Sequence, residues 1–111
     1  NSKILLDFII SGIRYVFPAN PGAVARGLST SFEAPCLQGL LSSVGEYHYV
    51  WPDAEGSDSG QVIAPLYKSA PLAAKKDHLL YQSMALVDAI RLGDAREVAI
   101  ARDALKKRLR G

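Results

Sequence analysis

The sequence contains a single cysteine, Cys36, which excludes an internal disulfide and a cysteine-rich zinc site. Such low cysteine content is typical of the reducing cytoplasm, where we expect this protein to act. It also lacks an uninterrupted apolar run of roughly 20 residues, the length that a membrane-spanning helix needs. No signal-peptide pattern is present, because the first apolar segment has the spacing of a helix within a fold. These absences predict a cytoplasmic protein without a membrane partner.

Charge of either sign is not in excess. The 111 residues include 13 lysines and arginines and 11 aspartates and glutamates, which gives a formal net charge of +2. A dedicated nucleic-acid module is usually more basic than this. The hydrophobic fraction of 49% and the charged fraction of 22% are ordinary globular values and argue against disorder. We therefore predict one domain spanning residues 1–111. Because the chain begins with asparagine, we expect it to be a C-terminal fragment of a longer protein.

The most apolar segment, residues 4–17, sets the main constraint on the fold. Its polar positions recur every three or four residues, which places them on one stripe of a helix. They are Lys3, Asp7, Ser11 and Arg14. The remaining circumference is apolar and wider than the roughly 100° face that a surface helix buries. The segment is therefore predicted to be a buried helix, ended by Pro18 and wrapped by the rest of the chain or by a second copy.

Three apolar positions of this helix, Leu5, Ile9 and Ile13, are candidates for contact with a second copy or a neighbouring domain. Arg14, on the polar stripe, is a candidate for binding a ligand or partner. Elsewhere in the chain the same role is open to Arg26, the only cation of a proline- and glycine-rich segment. Two aromatic residues that flank a polar turn, Trp51 and Tyr67, are also candidates because they could line a groove.

The middle of the chain predicts little regular structure. Residues 18–35 show no sustained period, so we expect a loop, and residues 35–44 have the spacing of a short helix. Residues 46–51 and 61–67 are candidate strands, with Pro65 confining the second to an edge. These two strands are predicted to form a short β-hairpin, or else to lie as extended arms across helices.

The last third of the sequence predicts an antiparallel helix pair. The first helix begins after a cap at Ser69 or Asp77 and ends at Gly93. Asp94 followed by Glu97 is the pattern of a capping box, which starts a final helix that runs to about residue 109. The fold class expected from these elements is α+β and mostly helical.

Motifs for catalysis and ligand binding are weak. The segment from Gly22 to Ser29 approaches a phosphate-binding loop, but Leu28 replaces the lysine that contacts the outer phosphates. The two histidines, His48 and His78, match no local metal spacing, so neither a metal nor a cofactor is predicted.

Catalysis is also without a recognisable motif. A nucleophile could come from Cys36 or from the hydroxyls of residues 29–31, yet no nucleophile-elbow sequence surrounds them. The chain is therefore not predicted to be an enzyme. A pocket in which an acid, a histidine and a hydroxyl converge would favour the opposite interpretation.

Four segments carry a family resemblance: YVFPANPGAVARGLSTSFEAP, VWPDAEG, APLYKSAP and ALVDAIRLGDARE. In order and spacing they resemble the C-terminal region of small bacterial helix-turn-helix proteins, the MarR-like or winged-helix regulators. In that family a winged helix-turn-helix comes first and a helix similar to residues 5–17 follows it. The DNA-reading part would precede Asn1, so no DNA-reading residue can be assigned in this sequence.

The resemblance implies a non-catalytic C-terminal domain of a DNA-binding transcriptional regulator, which dimerises, binds a partner protein or senses a ligand. A homodimer or a partner protein is the expected partner, and DNA would be bound only through the preceding domain. Two alternatives remain: a small hydrolase or transferase, and a stand-alone protein-interaction module such as an antitoxin.

Overall fold

The computed structural model describes residues 2–37 and 48–110, and these form five α-helices and three short strands. The helices are α1 (Ser2–Ser11), α2 (Ile13–Val16), α3 (Ala70–Lys76), α4 (His78–Leu92) and α5 (Ala95–Arg110). The strands are β1 (Val24–Ser29), β2 (Tyr49–Pro52) and β3 (Asp58–Val62), and short 3-10 turns span Ser31–Glu33 and Pro35–Leu37. The predicted α+β class, mostly helical with a C-terminal helix pair, is confirmed.

Helices α4 and α5 form the C-terminal pair, and the N-terminal end of each is capped by the residues that the sequence indicates. The Asp77 carboxylate accepts a hydrogen bond from the Leu80 N–H at 3.1 Å. At α5 the capping box is reciprocal: Asp94 N–H donates to Glu97 Oε1 at 3.0 Å, and Glu97 N–H donates to Asp94 Oδ1 at 2.9 Å. Each cap satisfies donors that a helix start leaves without partners.

The two helices of the pair run antiparallel. Arg108, near the end of α5, donates from Nε to Oε1 of Gln82, near the start of α4, at 2.8 Å. Only two residues, Gly93 and Asp94, connect the helices.

The strands close into a small barrel around β1, which pairs antiparallel with both β2 and β3. Strands β2 and β3 are consequently parallel, with Tyr49 opposite Gln61 and Val50 opposite Val62. The predicted hairpin between the second and third strands is therefore wrong in its pairing. The sequence did not reveal β1, because that segment is aperiodic. Since β1 pairs antiparallel with both other strands, β2 and β3 must run parallel to each other.

The N-terminal helix is broken at Gly12 into α1 and α2, and only one side of it is buried. Ile9 and Ile13 enter the main core, where α1 and α2 pack against α4 and α5. A second core cluster, which includes Trp51, Ile63 and Met84, lies between the barrel and helices α3 and α4. Of the helix predicted for residues 35–44, only the turn at Pro35–Leu37 falls within the described residues. Glu46 and Tyr47, the start of the predicted first strand, also lie outside them.

Candidate functional site

The side of α1 and α2 that faces away from the core carries five exposed apolar side chains. These are Ile4, Leu5, Phe8, Tyr15 and Val16, which we call the outer face. Ile4 is 68% exposed and Tyr15 is 80% exposed, so the outer face is uncovered along its length. Ile4, Leu5 and Phe8 lie at helical spacing on α1, and Tyr15 and Val16 follow on α2 after the break at Gly12.

The other two predicted contact residues, Ile9 and Ile13, lie on the opposite, buried side of these helices. Ile9 is 7% exposed and Ile13 is 4% exposed, and both are in the main core cluster. Leu6 and Ile10 are partly buried on the same side. Ile9 and Ile13 therefore fill the interior of this chain, and of the three predicted contact residues only Leu5 presents its side chain outward.

The four residues of the polar stripe differ in how far they are exposed. Lys3, Asp7 and Ser11 are exposed. Arg14 instead turns toward the helix pair, where its Nη2 donates to the Gly93 carbonyl at 2.8 Å. This contact, made where the α4 carbonyls end, gives Arg14 an internal role that its sequence position did not reveal.

A second arginine, Arg91, donates hydrogen bonds to the backbone that follows α2. Arg91 donates from Nε to the Phe17 carbonyl at 2.8 Å and from Nη2 to the Pro18 carbonyl at 3.4 Å. Its Nη1 reaches the Ala64 carbonyl at 3.2 Å and Asp88 Oδ1 at 2.7 Å. Because this guanidinium is buried, its donors need such partners. One side chain therefore joins α4 to the chain that follows α2 and to the chain that follows β3.

Asp88, the partner of Arg91, also joins α4 to the barrel. Its Oδ2 accepts hydrogen bonds from Thr30 Oγ1 and Trp51 Nε1, both at 2.7 Å. Burial raises the pKa of Asp88 above its ordinary value, and the hydrogen bonds from Thr30 and Trp51 and the charge of Arg91 oppose that shift. Sequence reasoning did not single out Asp88, since a polar residue among the apolar positions of a helix usually faces water. It considered the Thr30 hydroxyl only as a possible nucleophile, whereas the structure shows it donating to Asp88.

Trp51 was predicted as a groove-lining aromatic, but it is fully buried. Its ring packs against Tyr81 with centroids 5.8 Å apart. With its indole N–H bound to Asp88, Trp51 has no surface with which to bind a partner, and the prediction is corrected. The physical reason is that Trp51 on β2 faces α4, where it contacts Asp88 and Tyr81.

A hydroxyl, a histidine and an acid do converge at the end of the barrel. Ser29 Oγ lies 2.7 Å from His48 Nε2, and it donates to Asp58 Oδ2 at 2.6 Å. Gly60 permits this approach, because a Cβ there would lie 2.5 Å from the His48 carbonyl oxygen. The three residues come from β1, the residue before β2, and β3, so the barrel topology assembles them.

The geometry of this cluster differs from that of a nucleophile triad. In a triad the acid orients the histidine, whereas here the acid and the histidine both contact the same hydroxyl oxygen. A serine hydroxyl has one proton, so a donor bond to Asp58 leaves Ser29 Oγ as the acceptor from His48 Nε2–H. Ser29 is 1% exposed, and its carbonyl accepts a hydrogen bond from Tyr81. The arrangement therefore closes the barrel end and buries the candidate nucleophile.

The polar turn after Trp51 borders a groove of about 320 Å³ between the barrel and α3. Asp53 and Glu55 lie on one side of it, and Lys68 and Lys75 lie on the other. Lys75 forms an ion pair with Asp53, and the hydrogen bond from Lys75, followed by that from the Glu55 N–H, holds the pKa of Asp53 below its ordinary value.

The remaining two candidate interaction residues, Arg26 and Tyr67, are exposed but do not line this groove. Arg26 lies on β1 opposite Ser59. The Tyr67 hydroxyl is 3.8 Å from Met84 Sδ. The structure thus does not bring the four predicted interaction residues together.

The segment that approaches a phosphate-binding loop in sequence does not have the structure that such a loop needs. The segment resembling a phosphate-binding loop is largely strand β1, so it does not open a helix. Within residues 2–37 and 48–110, no three His, Cys, Asp or Glu side chains are grouped so that they could hold a metal ion. The helices of this part of the chain also include none that is long and apolar enough to cross a membrane.

Comparisons with protein-family models, with curated proteins and with solved structures found no match.

Proposed function

We propose that this chain is a non-catalytic interaction domain of a bacterial DNA-binding regulator, and that it acts through its outer face. The proposal has two supports, the family resemblance of the sequence and the apolar surface on α1 and α2. Its mechanism is positional: contact between proteins would hold DNA-binding heads at the spacing of operator half-sites. No bond is made or broken in this mechanism.

The single observation that carries the proposal is the outer face. Soluble proteins expose single apolar side chains routinely, but contiguous apolar patches mark interaction sites. Elsewhere in the described chain, exposed apolar residues such as Val24 and Leu79 are separate in sequence. Five of them lie on the consecutive helices α1 and α2, whose buried residues Ile9 and Ile13 already fill the core. The exposed apolar surface of these helices therefore serves no purpose in the core of this chain.

The internal contacts of the helix support the same role. An interaction surface needs a fixed position relative to the rest of the molecule. Arg14 and Arg91 tie α2 and its C-terminal end to the last residues of α4. Through Asp88, Arg91 is also connected to Thr30 and Trp51 in the barrel region. The outer face is thus presented on an anchored element.

The test is genome-wide chromatin immunoprecipitation of the complete gene product that carries this chain. We expect the wild-type protein to occupy discrete DNA sites. Leu5→Asp should reduce that occupancy, because a charge on the outer face opposes burial against a partner. Leu79→Asp is the matched control, since Leu79 is also an exposed leucine on a helix but lies away from the outer face. An absence of occupied sites, or unchanged occupancy in Leu5→Asp, would overturn the proposal.

A second candidate function, a small hydrolase, is favoured by the convergence of Ser29, His48 and Asp58. It would require the buried Ser29 hydroxyl to become accessible to a substrate. Its test is esterase and peptidase activity of purified wild-type protein against Ser29→Ala. Activity that disappears in Ser29→Ala with unchanged circular dichroism would support the hydrolase and count against a purely positional role.

A further inference from the structure

The groove between the barrel and α3 carries acidic residues on one side and lysines on the other, and it shares no residue with the outer face. We propose that this groove binds a zwitterionic dipeptide with apolar side chains. The ammonium group of the dipeptide contacts Glu55, and its carboxylate contacts Lys68. This inference goes beyond the proposed function, because it assigns a ligand site that does not use the outer face.

Two of the four charged side chains in the groove already have partners. Lys75 pairs with Asp53 across the groove, and the other Asp53 oxygen accepts a hydrogen bond from the Glu55 N–H at 3.0 Å. The Asp53 side chain is only 15% exposed. Within residues 2–37 and 48–110, neither the Glu55 carboxylate nor the Lys68 ammonium group forms an ion pair. These two groups are therefore available to a ligand.

The charge balance of the groove favours a ligand that carries both signs. Two acids and two lysines line it, so their formal charges cancel. A ligand of one sign would be attracted to one side of the groove and repelled by the other. A zwitterion places each of its charges beside the opposite charge, which also fixes its orientation.

The size of the groove and the spacing of its charges favour a dipeptide. Its volume of about 320 Å³ is near the lower end of the range for small-molecule sites, so the ligand is small. Glu55 and Lys68 lie on opposite sides, and the two charged groups of the ligand must therefore be separated. In a free amino acid both groups are bonded to one Cα, whereas in a dipeptide they belong to Cα atoms about 3.8 Å apart.

Apolar residues line the groove between its charged sides. They are Pro52, Pro71 and Leu72, and Leu72 is 59% exposed. An apolar side chain of the ligand that covers Leu72 removes apolar surface from water, which favours binding. The groove is therefore suited to a dipeptide of apolar residues rather than of polar ones.

The backbone that carries the two charged residues is held by hydrogen bonds. Glu55 lies in a turn in which the Gly56 N–H donates to the Asp53 carbonyl at 3.0 Å. Lys68 lies in a turn over residues 67–70, which is closed by a hydrogen bond of 3.0 Å between its first and last residues. Because both turns are already ordered, binding loses less conformational entropy than it would with free loops.

Nuclear magnetic resonance titration of the whole chain with leucyl-leucine at pH 7 tests the site. The backbone amide signals of Glu55, Lys68 and Leu72 should shift and saturate, with a Kd on the order of 1 mM for a ligand of this size in an open groove. N-acetyl-leucyl-leucine lacks the ammonium group and leucyl-leucinamide lacks the carboxylate. Each should bind about three- to fivefold more weakly, because one solvent-exposed charge contact is lost.

Variants of the protein assign each charge of the ligand to one residue. Glu55→Gln should weaken binding of leucyl-leucine by the same factor and leave binding of the acetylated dipeptide unchanged. Lys68→Met should weaken binding of leucyl-leucine and leave binding of the amide unchanged. Lys76→Met and Asp103→Asn are the matched controls, since both residues are exposed and lie outside the groove. Neither control should change the Kd.

Three outcomes would overturn the inference. The first is the absence of saturable shifts at the groove residues with leucyl-leucine at about twenty times the expected Kd. The second is equal binding of the free and blocked dipeptides, which would show that the charges of the ligand are not recognised. The third is binding of free leucine as tight as that of leucyl-leucine, which would exclude separation of the charges as the basis of recognition.

Discussion

Asp88 and Arg91 form an ion pair inside the molecule, with 2.7 Å between Oδ1 and Nη1 and almost no exposure of either side chain. The two residues are three positions apart on α4, so they lie on the same side of the helix. Together they contact the barrel region through Thr30 and Trp51 and the end of α2 through Phe17. The pair therefore connects the barrel region to the end of α2 through α4.

Asp88→Asn should lower the free energy of unfolding by about 3 to 5 kcal/mol, because it leaves the buried Arg91 charge without its counterion. Urea denaturation followed by circular dichroism measures the change. Asp103→Asn is the control, since Asp103 is exposed and its ion pair with Arg102 is long, at 3.5 Å. The control should change stability by less than about 0.5 kcal/mol. Equal effects of the two substitutions would mean that the buried pair contributes little.

The two sides of α1 should respond differently to the same truncation. Ile9→Ala should cost about 2 to 5 kcal/mol of stability, because it removes buried methyl groups from the core and leaves a cavity. Ile4→Ala should cost less than about 0.5 kcal/mol when unfolding is measured at a concentration that keeps the protein monomeric. If Ile4→Ala destabilised the monomer as much as Ile9→Ala, the outer face would be covered by this chain rather than available to a partner.

Asp53 should contribute to the loss of stability in acid. Its pKa lies below the ordinary value of 3.8, mainly because Lys75 donates a hydrogen bond to it. A carboxyl group with a lowered folded-state pKa stabilises the fold while it is ionised. That contribution is present above pH 3.8 and is lost as the pH falls through the folded-state value.

The measurement is urea unfolding of wild type and Asp53→Asn at several pH values. Wild type should be the more stable protein near pH 7, and the difference should shrink as the pH falls below about 4. A difference that stays constant across this range would show that the Lys75 contact does not shift the titration of Asp53.

Gly60 should tolerate no side chain. A Cβ at Gly60 would lie 2.5 Å from the His48 carbonyl oxygen, so Gly60→Ala must displace backbone and separate His48 from Ser29. We expect a loss of about 1 to 3 kcal/mol. Gly22→Ala is the matched control, since its nearest contact would be 3.6 Å from the Val62 carbonyl oxygen. Imidazole proton shifts of His48 by NMR should change in Gly60→Ala and remain unchanged in Gly22→Ala.

Local signals predicted the helices well, because capping depends on residues a few positions apart. Asp77 caps α4, and Asp94 and Glu97 cap each other at α5. The end of the first helix before Pro18 follows from the proline itself. Its break at Gly12 was less visible, since a helix tolerates a single glycine at a cost of roughly 1 kcal/mol.

The barrel was predicted only in part, because its pairing is not local. Strand β1 reads as an aperiodic segment with a glycine, and it becomes a strand only because β2 and β3 supply partners on both sides. The convergence of Ser29, His48 and Asp58 depends on that pairing and on the missing side chain at Gly60. No spacing along the chain signals it.

The sequence alone determined the fold class, the helix caps and the excess of apolar surface on residues 4–17. These depend on composition and short-range spacing. Tertiary structure decided which side of that helix is buried, placing Ile9 inward and leaving Leu5 outward. It also turned Trp51 inward and brought Asp88 to it. These outcomes depend on contacts between residues far apart in the chain, and the periodicity of one segment cannot predict such contacts.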